Sequence, residues 1–283
     1  MTIQGIFKQY FNQLDRLDLE LLIASVIKKP REFVLSYPEH KLTKNQELKT
    51  KNLTARRAKK EPLAYILGQK EFYGLNFKVD KNTLIPRPET ELLVEKVLAI
   101  KSKNKTIIDI GTGSGNIIVA LAKNIKEKNN FYGIDISAKA LEVAKQNAKL
   151  NKVDKKIKFI KGDLLRPILD KKLEISNSEF VILANLPYLS EKIYNSTMPD
   201  VKNYEPKSAL LSGKDGLDHY KELFKQIKDL QNRCSMFHVT CYVEISPEQK
   251  KIITLLVKAS FPKAKITFSK DLAGRWRVCE IKL

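Results

Sequence analysis

One stretch near the middle of the chain, residues 106–116, constrains the fold more than any other. Its isoleucines, Ile107, Ile108 and Ile110, form a β-branched run that is typical of a strand buried on both faces of a parallel sheet. Three alternating glycines follow, and then residues 117–122, an apolar segment compatible with a helix. The order strand, glycine turn, helix brings backbone N–H groups and a helix N-terminus close to a ligand. The spacing is G-x-G-x-G, not the G-x-G-x-x-G of dinucleotide folds.

The next predicted strand, residues 131–135, ends in an acidic residue. Asp135 follows Gly115 at about the 20-residue offset at which an acid reaches the hydroxyl groups of a ribose. It could instead cap the following helix, but Ser137 is already placed for that role. We therefore favour a nucleoside contact. Together these segments resemble the cofactor half of Rossmann-like methyltransferases, which bind S-adenosylmethionine.

Length and charge limit the possible classes of protein. A chain of 283 residues favours one domain with a smaller second one. The net charge of +20 suggests nucleic-acid binding, but the basic residues are mostly lysines and are scattered along the chain. Arginine is the usual reader of bases and phosphates, so we favour solvated lysine-rich surfaces. A weak electrostatic attraction to an RNA-rich surface remains open.

The three cysteines, Cys234, Cys241 and Cys279, have no metal-binding spacing and do not form an even disulfide set. We therefore expect no metal site and a reducing, cytoplasmic compartment. The first ten residues lack the apolar core of a signal peptide. No segment approaches about 20 uninterrupted apolar residues, so no membrane span is expected. We also expect a monomer.

Residues 1–70 are predicted to form a small helical bundle. Ile6, Tyr10 and Leu14 recur at four-residue spacing, which indicates an amphipathic helix. Such a bundle could serve only as a stabilising cap. Before a methyltransferase core, we favour recognition of a macromolecular substrate.

A β-hairpin linker is predicted over residues 71–88, and the methyltransferase domain over 89–283. Phe72 and Phe77 flank a turn at Gly74, which is the pattern of a hairpin. Later apolar segments supply the remaining strands of the sheet.

Two polar segments follow predicted strands in the second half of the chain. Asp163 and Leu164 come after the strand at 157–160, where an acid and an apolar side chain could bind the amino group and ring face of adenine. A plain polar turn is an equally good interpretation. Asn185-Leu186-Pro187-Tyr188 comes directly after the strand at 180–184, and ligands of open α/β sheets bind outside such carboxyl ends.

The Asn-Leu-Pro-Tyr turn suits methyl transfer to a planar NH₂ group. As such a nitrogen attacks, it gains positive charge and its hydrogens become stronger donors, so two fixed acceptors bind the transition state better than the ground state. The Asn185 side-chain oxygen and the Leu186 carbonyl can be those acceptors. Pro187 fixes the turn, and Tyr188 offers a flat face for stacking. A β-turn with an Asx hydrogen bond is the alternative.

Several further blocks identify a family. They are Glu61-Pro62-Leu63-Ala64-Tyr65, Glu71-Phe72, Ile85-Pro86-Arg87-Pro88-Glu89-Thr90-Glu91, Tyr204-Glu205-Pro206 and Asp215-Gly216-Leu217. With the glycine loop and the Asn-Leu-Pro-Tyr turn, they make the chain resemble the release-factor glutamine methyltransferases over essentially its whole length. The resemblance implies a Rossmann-like class I S-adenosylmethionine methyltransferase domain preceded by a small helical domain. It also implies that the side-chain amide (N5) of the glutamine in the Gly-Gly-Gln motif of peptide chain release factors is methylated.

The resemblance also assigns site residues. It places glutamine contacts on Asn185, Leu186, Pro187 and Tyr188. The family usually has Asn-Pro-Pro-Tyr, so Leu186 is a departure that removes a fixed φ and predicts a looser turn and a lower rate. Its cofactor positions fall on Gly111, Thr112, Gly113, Ser114, Gly115, Asp135, Asp163, Leu164 and Asn185, with Thr90 near the methionine end.

Two other functions remain open from the sequence. Methylation of adenine N6 in DNA or RNA would use the same turn, and it predicts a basic cleft with stacking aromatic residues and base flipping. A non-catalytic, translation-associated adaptor with a vestigial cofactor site would fit Leu186 and the excess of lysine. The presence of every polar group that the chemistry needs favours an enzyme.

Overall fold

The computed structural model describes residues 1–100, 103–170, 179–233 and 238–283, so Cys234 lies outside the described residues. The helices are α1 (Ile3–Tyr10), α2 (Arg16–Ile27), α3 (Arg31–Ser36), α4 (Lys44–Ala58), α5 (Leu63–Leu67), α6 (Glu91–Ala99), α7 (Asn116–Asn124), α8 (Ala138–Leu150), α9 (Arg166–Leu169), α10 (Glu191–Asn195), α11 (Pro199–Tyr204), α12 (Asp218–Arg233) and α13 (Lys250–Ser260). The strands are β1 (Gln69–Phe72), β2 (Leu75–Lys78), β3 (Thr106–Ile110), β4 (Asn130–Asp135), β5 (Ile157–Lys161), β6 (Glu179–Ala184), β7 (His238–Glu244), β8 (Lys265–Lys270) and β9 (Trp276–Lys282).

The chain forms two compact units. One contains Met1–Gln69 together with Met198–Tyr204, and the other contains Lys70–Thr197 and Glu205–Leu283. The short helix α11 thus groups with the N-terminal helices, although the sequence assigned it to the domain at 89–283. The predicted roles of residues 1–70, 71–88 and 89–283 stay predictions.

The N-terminal unit is helical because its helices have good caps and share one apolar core. The Asp15 side chain caps α2, and Thr43 and Gln46 form a reciprocal capping box at the start of α4. Apolar side chains from α1, α2 and α3 meet in its centre, among them Ile6, Ile23 and Val34. In the same unit, the Tyr204 hydroxyl donates to the Lys59 carbonyl at 2.8 Å.

A seven-stranded sheet is the centre of the second unit. Its strand order is β5-β4-β3-β6-β7-β9-β8. The five strands from β5 to β7 are parallel, whereas β9 is antiparallel to both of its neighbours. This confirms the predicted mostly parallel α/β sheet and its terminal hairpin.

The central strands are buried on both faces, as their β-branched sequences predict. Along β3, Ile108 and Ile110 belong to the core cluster that includes side chains of α12 and α13. Ile107 belongs instead to the cluster that includes side chains of α6, α7 and α8. Successive side chains of a strand point to opposite faces, so helices must cover both sides of the sheet.

The predicted hairpin around Gly74 is also confirmed. Tyr73 and Gly74 have φ values of 51° and 68°, the left-handed pair that a tight two-residue hairpin turn requires. Phe72 and Phe77 are buried on either side of that turn, with ring centroids 6.0 Å apart. Within the described residues, no helix is both long and apolar enough to span a membrane.

Candidate active site

A cavity of about 350 Å³ lies in the second unit. Its wall contains residues that follow β3, β4, β5 and β6, four neighbouring parallel strands. The chain reverses its direction of growth across the sheet between β3 and β6, which is where ligands of such sheets bind. Of the predicted residues, Gly115 and Tyr188 lie outside the wall, and those in the wall are Thr90, Gly111, Thr112, Gly113, Ser114, Asp135, Asp163, Leu164, Asn185, Leu186 and Pro187.

The three glycines of the loop have backbone conformations that residues with a Cβ atom rarely adopt. Gly111, Gly113 and Gly115 have φ values of 68°, 55° and 78°, all in the left-handed region. At Gly111 a Cβ would lie only 2.9 Å from the Leu186 side chain, and at Gly115 only 3.1 Å from Cβ of Ala144. Glycine therefore permits both the turn and the close approach of α7 to α8.

Asp135 supports the loop as well as facing the cavity. Its Oδ2 accepts from the Gly113 N–H at 2.9 Å, and its Oδ1 accepts from the Ser137 N–H at 2.8 Å. Burial raises the pKa of Asp135, and these two hydrogen bonds oppose the shift. Ser137 caps α8 by accepting from the Ala140 N–H, as the sequence predicts. Each Asp135 oxygen keeps a lone pair for a further donor.

A second acid, Asp109, lies beneath the loop. It is fully buried, and its Oδ2 accepts from the Thr112 hydroxyl at 2.6 Å. Burial raises its pKa to about 7, and the negative charge of Asp135 adds to the shift. Its Oδ1 makes no side-chain or main-chain hydrogen bond of ordinary geometry within the described residues. The hydrogen bond from Thr112 therefore ties the glycine loop to Asp109 in β3.

The Asn-Leu-Pro-Tyr turn begins directly after β6. The Asn185 amide nitrogen donates to Thr90 Oγ at 3.0 Å. Leu186 is buried in the core, so the side chain that replaces the family's usual proline is packed against its surroundings. The Tyr188 hydroxyl donates to Glu244 Oε1 at 3.2 Å, and the Tyr188 carbonyl accepts from the Gln249 side chain at 3.0 Å.

Glu244, at the end of β7, is a buried carboxylate behind this turn. Burial raises its pKa to about 7, although the Thr90 and Tyr188 hydroxyls oppose the increase. Its main-chain carbonyl accepts from the Tyr220 hydroxyl in a short hydrogen bond. The hydrogen bond from Tyr188 to the Glu244 side chain connects the ends of β6 and β7.

Two of the sequence blocks that identified the family meet through an ion pair. Glu205, from Tyr-Glu-Pro, accepts from the Arg87 guanidinium and, at 3.2 Å, from the Ile85 N–H. The Glu205 side chain is only 1% exposed and that of Arg87 33%. The carboxylate therefore fixes the proline-rich segment that leads into Pro88–Thr90, the short 3₁₀ turn that carries Thr90.

We expect Glu205→Ala to lower the free energy of unfolding by about 1–3 kcal/mol, because Arg87 and the Ile85 N–H would lose a buried acceptor. Chemical denaturation of both proteins measures the difference. Glu142→Ala, which removes an exposed carboxylate from α8, is the matched control. Equal losses in the two variants would contradict a special role for Glu205.

Sequence reasoning missed Glu244 and left Arg87 and Glu205 without a role. Arg87 and Glu205 belong to motifs that were noticed, but nothing in their spacing indicates that they pair. Glu244 had a usable signal, since it lies at the carboxyl end of a predicted strand next to the one that carries Asn185. Within the described residues, no cluster of three or more metal-ligating side chains is present.

Comparisons with known proteins identify the family of this chain. A family model described as "Methyltransferase domain" matches residues 101–260, and one described as "PrmC N-terminal domain" matches residues 7–68. A release factor glutamine methyltransferase of Clostridium botulinum is 34% identical over 98% of this chain and 95% of its own length. The chain belongs to the release factor glutamine methyltransferase family. A member from Dictyoglomus turgidum is 37% identical over 94% of this chain and 90% of its own length.

Solved structures agree on the fold of this family member. The human Mettl16 catalytic domain, in complex with an RNA hairpin, has a TM-score of 0.54 at 17% identity and covers 81% of each chain. A human methyltransferase 10 domain containing protein has a TM-score of 0.52 at 18% identity, over 82% of this chain and 96% of its own. At these identities the likeness shows a shared methyltransferase fold.

The cofactor of this family member is S-adenosylmethionine. The residues of the cavity fit it, since Gly111 and Gly113 leave backbone exposed where a Cβ would strain the loop. Asp135 lies in the wall of the same cavity, and its carboxylate oxygens can accept hydrogen bonds from the hydroxyl groups of a ribose.

Proposed function

We propose that the protein transfers a methyl group from S-adenosylmethionine to the side-chain amide nitrogen of the glutamine in the Gly-Gly-Gln motif of peptide chain release factors. Asn185 carries the proposal, because its carboxamide is held by Thr90 in the wall of the cavity that also contains the glycine loop. Membership of the family supports the substrate. We place the reaction in the cytoplasm, where release factors act.

The turn supplies the groups that an amide nucleophile needs. The amide nitrogen is a poor nucleophile because its lone pair is delocalised. Asn185 Oδ1 and the Leu186 carbonyl accept its two hydrogens, and these bonds strengthen as positive charge develops on the nitrogen. The bound cofactor supplies an electrophilic methyl group on a sulfonium. Attack needs no general base, because the amide nitrogen becomes strongly acidic once it is methylated and then releases one of its two protons to water.

The remaining turn residues hold this geometry. Pro187 restricts the backbone after the second acceptor. Tyr188 is proposed to place its ring beside the substrate amide, in an orientation that its hydrogen bond to Glu244 fixes. The packing of the Leu186 side chain restricts the turn where the family usually has proline.

Most of the proposed cofactor contacts lie at or just after the carboxyl ends of β3, β4 and β5. The residues of the loop from Gly111 to Gly115 are proposed to approach the cofactor through their backbone, and Asp135 to bind the ribose hydroxyls. Asp163 and Leu164 are proposed to bind adenine. Thr90 is proposed to lie near the methionine end.

The division of labour between the parts of the chain is also a proposal. Residues 1–70 would recognise the release factor, 71–88 would link, and 89–283 would carry out methyl transfer. We propose a monomer without nucleic-acid substrate.

The test is to incubate the full chain with S-adenosylmethionine and a bacterial release factor and to map the modified peptides by mass spectrometry. We expect methylation of the Gly-Gly-Gln glutamine. A release factor with alanine in place of that glutamine is the matched control and should stay unmodified. Labelled RNA and DNA are tested in parallel, and methylated adenine with an unmodified glutamine would falsify the proposal.

A further inference from the structure

Buried and half-buried polar side chains lie close together where β6 and β7 end, among them Asn185, Thr90 and Glu244. Asn185 Nδ2 donates to Thr90 Oγ at 3.0 Å, so a lone pair of the threonine oxygen faces the amide. Thr90 is 1% exposed, and its own hydroxyl hydrogen therefore cannot turn to bulk water. Glu244, also 1% exposed, follows Val243, which pairs with Ala184 directly before Asn185. Its Oε1 accepts from Tyr188, whereas its buried Oε2 has no hydrogen-bond partner of ordinary geometry within the described residues.

We infer that Glu244 is a positioning residue that determines, through the Thr90 hydroxyl, which end of the Asn185 amide faces the cavity. An ionised carboxylate can only accept hydrogen bonds, so in this proposal the Thr90 hydroxyl turns its hydrogen towards the otherwise unpartnered Glu244 Oε2. The threonine oxygen is then left to accept from Asn185 Nδ2. As a result Asn185 Oδ1 is available to the substrate amide, which is where the proposed function, on which this inference rests, needs an acceptor.

A neutral donor in place of the carboxylate reverses the direction of the hydrogen bonds among Glu244, Thr90 and Asn185. A protonated Glu244, or glutamine at this position, can donate to Thr90. The threonine hydroxyl is then free to donate to Asn185, which accepts through Oδ1 after rotating its amide by half a turn. The Asn185 NH₂ group would then face the NH₂ group of the substrate glutamine. Two donors facing each other cannot stabilise the developing charge.

The surroundings of Glu244 predict the direction of the pH dependence. Burial raises its pKa to about 7, and Glu89 contributes in the same direction, whereas the Arg277 guanidinium and the Thr90 and Tyr188 hydroxyls lower it. The Tyr220 hydroxyl donates to its main-chain carbonyl rather than to its carboxylate. Above the pKa the carboxylate is ionised and the amide is correctly oriented. Turnover should therefore fall as the pH is lowered through about 7.

The test compares the wild-type protein with Glu244→Gln, an isosteric change. Turnover, KM for the release factor and Kd for S-adenosylmethionine are measured from about pH 6 to about pH 9. We expect kcat to fall about tenfold in the variant at alkaline pH, with KM and Kd nearly unchanged, and the inflection that Glu244 causes to disappear. Asp109, whose pKa is also about 7, keeps its own inflection in the variant. Glu248→Gln, the same change at an exposed position, is the matched control.

Thr90→Val supplies a second test if Glu244→Gln does not fold. It removes the hydroxyl without changing the shape of the side chain, and we expect the same loss of kcat at saturating cofactor. A variant of either kind with wild-type kcat, or a Glu244→Gln protein that keeps the whole inflection, would overturn the inference.

A spectroscopic measurement separates this inference from the proposed function. In ¹⁵N-labelled protein, the side-chain amide resonance of Asn185 should titrate near pH 7 with a dependence on Glu244, and Glu244→Gln should abolish that titration. This readout needs no substrate. If the wild-type protein methylates no release factor, the proposed function is wrong, whereas an Asn185 resonance that ignores Glu244 refutes the positioning role of Glu244 alone.

Discussion

Asn185→Ala should lower kcat by about 10²–10³-fold, the usual effect of removing one preorganised partner of a developing charge. The variant keeps the glycine loop and Asp135, so Kd for S-adenosylmethionine should stay close to that of the wild-type protein. Single-turnover methylation of the release factor and calorimetric titration of the cofactor measure the two quantities.

The matched control for this prediction is Asn232→Ala, which makes the same change at an exposed position in α12 and should leave both quantities unchanged. An Asn185→Ala protein that only raises KM for the release factor would contradict the proposed role. The amide would then contribute equally to ground-state and transition-state binding.

Asp135→Ala should have the opposite pattern, with Kd for S-adenosylmethionine raised about 10²-fold and a smaller effect on kcat at saturating cofactor. The substitution removes the proposed ribose acceptor and releases the Gly113 N–H, so the loop also loses a support. Calorimetric titration measures the change. Because burial raises the pKa of Asp135, we also expect the wild-type protein to bind the cofactor more weakly as the pH falls.

Ser137→Ala separates the acid from the helix cap beside it. It removes the hydroxyl that accepts from the Ala140 N–H and should cost about 1 kcal/mol of stability. Its effect on cofactor affinity should be much smaller than that of Asp135→Ala. If the two variants bound the cofactor equally weakly, Asp135 would act only by supporting the loop and the start of α8.

The substitution at Leu186 illustrates how far a motif can be interpreted without coordinates. The sequence predicts a looser turn, because leucine does not fix φ as the usual proline does. In the structure Leu186 belongs to the core, and its Cδ2 would lie 2.9 Å from a Cβ at Gly111. Packing thus provides a restraint that the sequence motif alone does not reveal.

Local patterns determined the architecture of this protein and the composition of its cavity wall. β-branched runs predicted the buried strands, and alternating glycines predicted a turn with positive φ, because both depend on steric rules that act within a few residues. The tertiary structure alone decided which side chains meet. Thr90 and Asn185 lie 95 residues apart, Arg87 and Glu205 118 apart, and Tyr188 and Glu244 56 apart. Such pairs arise when segments that are far apart in the chain meet at the same edge of a sheet, and no sequence period marks which side chains will become partners.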